Sequence, residues 1–253
     1  MWILQSLAPP SCCDGGDHPA ARSKSERYPM GSKSAILVLA EGDPRSVLRP
    51  GMAAEISDAK SLAEDFFDGP FESTTNVTLE EAVWPEPGMV CTGRFTGADI
   101  ICARELVPAQ PSDLTADIAL LAEGRNAYAV FMHSGTDSLS FATWEKGRLV
   151  RSLSLSPDDG VVQNYGAPLE FESPYWTGNH SVSHTPNYPL PFHPLDLGNE
   201  ALRNFFGFIL EGRPSADCFD PEEITLCGFR NIESNRSPSE LLRLHSQSMT
   251  KRQ

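Results

Sequence analysis

"LSFATWEKGRLVRSLSLS", residues 139–156, is the stretch on which the fold turns. Two runs in which apolar and polar residues alternate flank Lys146 and Gly147, a two-residue connection that suits a tight hairpin. With the turn there, Trp144 faces Leu149 across the strands, and Ser152, Ser154 and Ser156 share one face. Strands joined so directly run antiparallel, because a parallel pair needs a crossover of a dozen residues or more.

The same pattern recurs upstream. "MVCTGRF" and "ADIICARE" predict a second hairpin about Thr96 and Gly97, with Cys91 set opposite Cys102. "AYAVFMH", residues 127–133, and the run from Ala35 to Ala40 read as buried strands. Three helices stand out by their period. Ala59, Leu62, Ala63, Phe66 and Phe67 follow a Ser57 or Asp58 cap, and Leu114, Ile118, Leu121 and Ala122 follow Ser112 and end at Gly124. Leu202, Phe205, Phe206, Ile209 and Leu210 form the third stripe, predicting a helix over about 197–211 with Asp196 or Asn199 as its cap and Gly212 as its stop. Hairpins with helices at irregular intervals predict an α+β fold: a single domain, with a mixed or largely antiparallel sheet and about three packed helices.

That domain is expected over residues 30–230. Residues 1–29 are rich in Pro, Ser, Gly and Asp and hold no apolar period, so they read as a disordered extension. Met30, followed at once by strand-like sequence, reads as a translation start, which would make those residues an alternative-start addition. From residue 231 to 253 the chain is a polar tail with one capped helical signal at "SPSELLRL".

Charge and cysteine usage exclude several classes. The formal net charge is −14, from 20 basic and 34 acidic residues, and no run of Lys or Arg offsets it, which argues against nucleic acid as a direct partner. No apolar stretch reaches the roughly 20 residues that span a bilayer, and the N-terminus lacks the basic segment of an export signal. A cytoplasmic protein is expected. The six cysteines form no C-x-x-C, and no zinc-type Cys/His spacing appears, so no metal site and no cofactor are predicted.

Two stretches carry residues capable of chemistry. In "FMHSGTDSLSF" a buried strand ends in His133 and Ser134, with Asp137 close behind; a histidine beside a carboxylate can act as general base toward a serine. No G-x-S-x-G elbow supports that geometry, and hydrogen bonds from Ser134 and Asp137 to local amides explain the same residues. The second stretch, "SPYWTGNHSVSHTPNYPLPFHPLDLG", supplies Trp176, His180, Tyr188 and His193 as candidate ligand-binding residues. His180 and His184 have a helical spacing, but Pro186 and the glycine and serines around them deny the helix. The prolines instead predict an extended strap anchored by Tyr188, Leu190 and Phe192, which leads into the most apolar helix. Asp158 and Asp159 in "LSPDDG" read as a solvated turn.

With these blocks in view, the chain resembles an uncharacterised bacterial family, chiefly actinobacterial and known only as a domain of unknown function. The resemblance spans about residues 30–230 and rests on "MGSKSAILVLAEGDPRSVL", "WEKGRLVRSLSLSPDDG", "LEFESPYWTGNH", "YPLPFHPLDLG" and "FFGFILEG". It implies one domain and carries over no catalytic residue, cofactor or partner. From the residues themselves, a domain binding a small molecule or a protein is expected, with a hydrolase-like enzyme using His133 and Ser134 as the alternative.

Overall fold

A computed structural model describes residues 31–67, 70–182 and 187–232. The residues at both ends, including the expected extension, the tail and its "SPSELLRL" segment, lie outside that set, as does His184. Nine strands make up one sheet among the described residues: β1 Lys33–Ala40, β2 Phe71–Thr78, β3 Met89–Phe95, β4 Ala98–Cys102, β5 Asn126–His133, β6 Ser138–Glu145, β7 Arg148–Ser156, β8 Gly160–Tyr165 and β9 Thr225–Asn231. Their order is β2-β9-β3-β4-β1-β5-β6-β7-β8, and every neighbouring pair is antiparallel.

Both hairpins form as their turn residues dictate. Lys146 and Gly147 both take positive φ, which matches the right-handed twist of β6 and β7, and Trp144 pairs with Leu149. Gly97 turns β3 into β4 at φ 86°, and Cys91 and Cys102 are cross-strand partners. Both thiols are buried and free, and burial pushes the Cys91 thiol up to about 12.

The sheet is covered on both faces. Five helices are described: α1 Ile56–Phe66, α2 Leu79–Ala82, α3 Thr115–Leu121, α4 Ser173–Trp176 and α5 Pro194–Phe206. The three expected from periodicity are α1, α3 and α5; α2 and α4 are single turns too short to show a period. Central strand β1 shows how the layers divide: Ile36, Val38 and Ala40 join the core under α5, while Ala35, Leu37 and Leu39 join the core under α1 and α3. Burial on both sides is why its sequence is continuously apolar.

The third helix is shifted from its expected span. It starts at Pro194 and stops at Gly207, whose φ of 86° allows the left-handed cap and whose N–H donates to the Leu202 and Arg203 carbonyls. Ile209 and Leu210 therefore lie beyond it. The cap at the other end is His193, whose Nδ1 accepts the Leu195 N–H at 3.3 Å, in place of the expected Asp196 or Asn199. Asn199 instead accepts the backbone N–H groups of Leu210 and Glu211, and so holds the segment after the helix against its own second turn. Similarly, Glu55 rather than Ser57 or Asp58 occupies the N-cap position of α1, with no side-chain cap bond.

Candidate functional site

The sheet separates the residues that sequence brought together. His133 follows the alternation of Ala129 and Phe131, and its ring meets Trp84 edge to face at 5.3 Å on the α1/α3 side. His193, capping α5, lies on the opposite side. The loop after β5 crosses between them: Asp137, at φ 46°, brings its carboxylate to 3.7 Å from His193 Nε2. His133 Nδ1 accepts the Gly135 N–H at 3.2 Å, and the Ser134 N–H donates to the Ser32 carbonyl at 3.0 Å. Among the described residues, Ser134 Oγ has no hydrogen bond to an imidazole.

Around the start of α5 the aromatic residues pack on one another. Phe192 is fully buried and meets Trp176 at 4.9 Å and Tyr175 at 5.4 Å, both edge to face. Trp176 donates Nε1–H to Glu172 at 3.3 Å, so its polar tip is already used. His180 is exposed and stacks on Tyr175 at 4.2 Å, and Tyr188 stacks on His193 at 5.9 Å. Burial raises the Tyr188 phenol, with the Asp137 and Asp196 carboxylates acting in the same direction, and its buried Oη has no partner among the described residues. With Leu190 also buried, residues 187–192 lie as a strap against the α5-side core.

Glu172 belongs to a pair that sequence reading did not single out. It and Arg151 are both fully buried; Arg151 donates Nε–H to Glu172 Oε1 at 2.8 Å and Nη2–H to Oε2 at 2.6 Å. Nη1 donates to Asn164 Oδ1 at 2.6 Å and the Tyr165 carbonyl at 2.8 Å, while Glu172 also accepts the Leu169 N–H at 2.7 Å. With nearly every polar atom partnered, this fork ties β7, β8 and the α4 loop into one unit.

A cleft of about 770 Å³ opens on the α1/α3 face, at the far end of β1 from His133. Its floor holds Asp99, which pairs with Leu39 of β1 and shares that strand residue's face. The Asp99 side chain is 4% exposed and is gripped by Arg125 at 2.7 Å and Arg94 at 3.5 Å; Arg94 reaches on to Asp65 at 3.1 Å. Glu41, Glu64, Asp65 and Glu123 complete a lining of five carboxylates against two guanidinium groups. Glu123 takes φ 51° immediately before Gly124 at 83°, a left-handed pair that turns the end of α3 at the cleft wall. None of these charged residues was singled out from sequence. The signal was an aspartate inside the otherwise apolar run "ADIIC", every residue of which is buried.

Among the described residues, no group of three or more His, Cys, Asp or Glu side chains could hold a metal ion, and no helix is long and apolar enough to cross a membrane. In class, then, this is an α+β protein built on one antiparallel sheet, with a charged cleft between two of its helices. The chain belongs to a family of unknown function, DUF6928, whose model matches residues 34–229. No curated protein and no solved structure matches it.

Proposed function

We propose that the protein is a binding domain for a small cationic molecule, which it takes up in the α1/α3 cleft. The observation that carries this reading is Asp99: a carboxylate 4% exposed at the floor of a 770 Å³ cleft, held by two arginines beneath an acidic rim. A cleft of this size falls in the range of small-molecule pockets. The Asp99–Arg125 pair gives rigid polar geometry at the floor, and the surplus of carboxylates attracts positive charge. The Glu123 backbone, in a conformation rare for a side-chain-bearing residue, adds to this, because such positions cluster at functional sites.

Binding is favoured over catalysis by the state of the histidines. His193 uses one ring nitrogen as a helix cap and turns the other to Asp137, and His133 faces Trp84 with Nδ1 bonded to Gly135, so among the described residues no imidazole is paired with Ser134. The strap residues Tyr188 and His193 contribute to the same domain as packing and capping groups. The free, buried thiols of Cys91 and Cys102, facing one another across two strands, suit a reducing compartment and hence a cytoplasmic site of action.

The test is a thermal-shift titration with putrescine and arginine, on the wild-type chain and on Glu64→Gln and Glu123→Gln. Stabilisation that saturates with ligand and weakens about tenfold in either variant is expected, since each removes one attractive charge at the mouth. Asp158→Asn, in the turn after β7, serves as the control. Absence of any saturating shift, or equal shifts in wild type and both cleft variants, refutes the reading.

A further inference from the structure

The indole of Trp84 gathers two cationic groups and an imidazole from three separate elements. The Arg104 guanidinium, from the turn after β4, sits 4.8 Å from the ring centroid, and the Lys33 ammonium, from the start of β1, sits 5.9 Å away. The His133 ring meets the same indole at 5.3 Å, and Lys33 and His133 are cross-strand partners. Each contact alone is an ordinary cation–π or edge packing. Two cations converging on one ring in a chain of net charge −14 are different, because like charges brought together disfavour one another unless an anion lies between them.

No protein anion fills that role among the described residues. Neither Lys33 nor Arg104 forms an ion pair or side-chain hydrogen bond there, and Arg104 Nε is buried without an acceptor. The adjacent Glu105 is engaged elsewhere, its Oε1 accepting the Gly88 N–H at 2.7 Å, and it makes no ion pair with Arg104. By contrast, Arg94, Arg125, Arg151, Arg203 and Arg230 each meet a carboxylate within 3.2 Å. The indole holds the Arg104 side chain by its face, which leaves the terminal N–H groups at the guanidinium edge as donors.

We propose that Lys33, Arg104 and His133 form a binding site for a small oxyanion, a carboxylate or a phosphate, with Trp84 as its wall. The guanidinium edge donates to the oxyanion, the ammonium supplies a second charge, and His133 keeps Nε2, the ring nitrogen not bonded to Gly135, as a third polar group. This gives His133 a role without Ser134 or Asp137. It is also a site separate from the α1/α3 cleft, at the other end of β1 and of the opposite preference in charge.

Trp84 reports its own occupancy through its fluorescence. Inorganic phosphate and acetate are titrated separately at constant ionic strength, with sodium chloride as the balancing salt, and phosphorus NMR line broadening follows the phosphate arm independently. Saturable quenching is expected for at least one of the two, weakened about tenfold or more in Arg104→Gln and lost as a signal in Trp84→Phe. Arg148→Gln, on the exposed β6–β7 turn, should bind as wild type. Lys33→Gln gives the same comparison should Arg104→Gln fail to fold, since its side chain is only partly buried. Response to phosphate alone or acetate alone identifies the oxyanion. Quenching that never saturates, or that is equal in wild type, Arg104→Gln and Lys33→Gln, overturns the proposal.

Discussion

Removing one half of the Arg151–Glu172 pair should cost more stability than any other single polar substitution in the described chain. In Glu172→Ala the Arg151 guanidinium keeps Asn164 and the Tyr165 carbonyl but loses both carboxylate bonds, at 2.8 and 2.6 Å, in a place with no access to water. The Leu169 N–H and the Trp176 indole N–H lose their acceptor in the same step. An uncompensated buried charge costs about 3–5 kcal/mol. For a domain of this size each kcal/mol lowers Tm by about 2–4 °C, so a fall of roughly 6–20 °C is expected. The discriminating variant is the double one, Arg151→Met with Glu172→Leu, which removes the charge as well as its partner. Urea or thermal denaturation should place it closer to wild type than Glu172→Ala, with a coupling of about 2 kcal/mol or more between the positions. Additive losses in the double variant, or a single-variant loss under about 1 kcal/mol, would refute the account of the pair as a mutually dependent fork.

Three further outcomes follow from particular atoms. Thiol labelling of the native protein at pH 8, read by peptide mass, should mark Cys218 and spare Cys91, Cys102 and Cys227, because these three are buried and burial raises each thiol; at about 12, Cys91 is thiolate in only about one molecule in ten thousand. His193→Ala should lower stability by about 0.5–2 kcal/mol and His193→Asn by much less, as measured by urea denaturation, since asparagine restores the cap. Asp217 is held below the ordinary carboxylate range by the Ser215 hydroxyl and Arg203, so its contribution is present in full above that range and is lost as pH falls through the lowered value. Stability measured against pH should therefore show the lead of wild type over Asp217→Asn shrinking on the acid side. A constant lead would sink that assignment.

Much of the sheet was legible because its turns are local. Lys146-Gly147 and Gly97 fix two hairpins and their registers, and the unbroken run from Ala35 to Ala40 marks a strand buried on both faces. Strand β2, "FESTTNVT", was not legible: it is mostly exposed, lacks an apolar alternation and is held by pairing with distant β9. The end of the last helix was misplaced because Leu210 continues the 3.6-residue period after Gly207 has already turned the backbone, and period cannot see a cap. His133, Asp137 and His193 were found as residue types, but which face each occupies depends on strand parity and on a loop crossing between layers. Asp99 and Arg151 gain their character from burial, a property set by the helices laid over them.

The place of β9 bears on how the chain acquires its structure during synthesis. Residues 225–231 insert between β2 and β3, and β2 has no other strand neighbour among the described residues. The strand at 71–78 therefore leaves the ribosome long before β9 exists, a wait on the order of ten seconds at ordinary elongation rates. Until then β3 presents an unpaired edge, a ready template for pairing with another chain. A stop codon placed before residue 225 would thus leave more than a shortened protein: it would leave two strands searching for a mate, and such fragments should aggregate while the full chain does not.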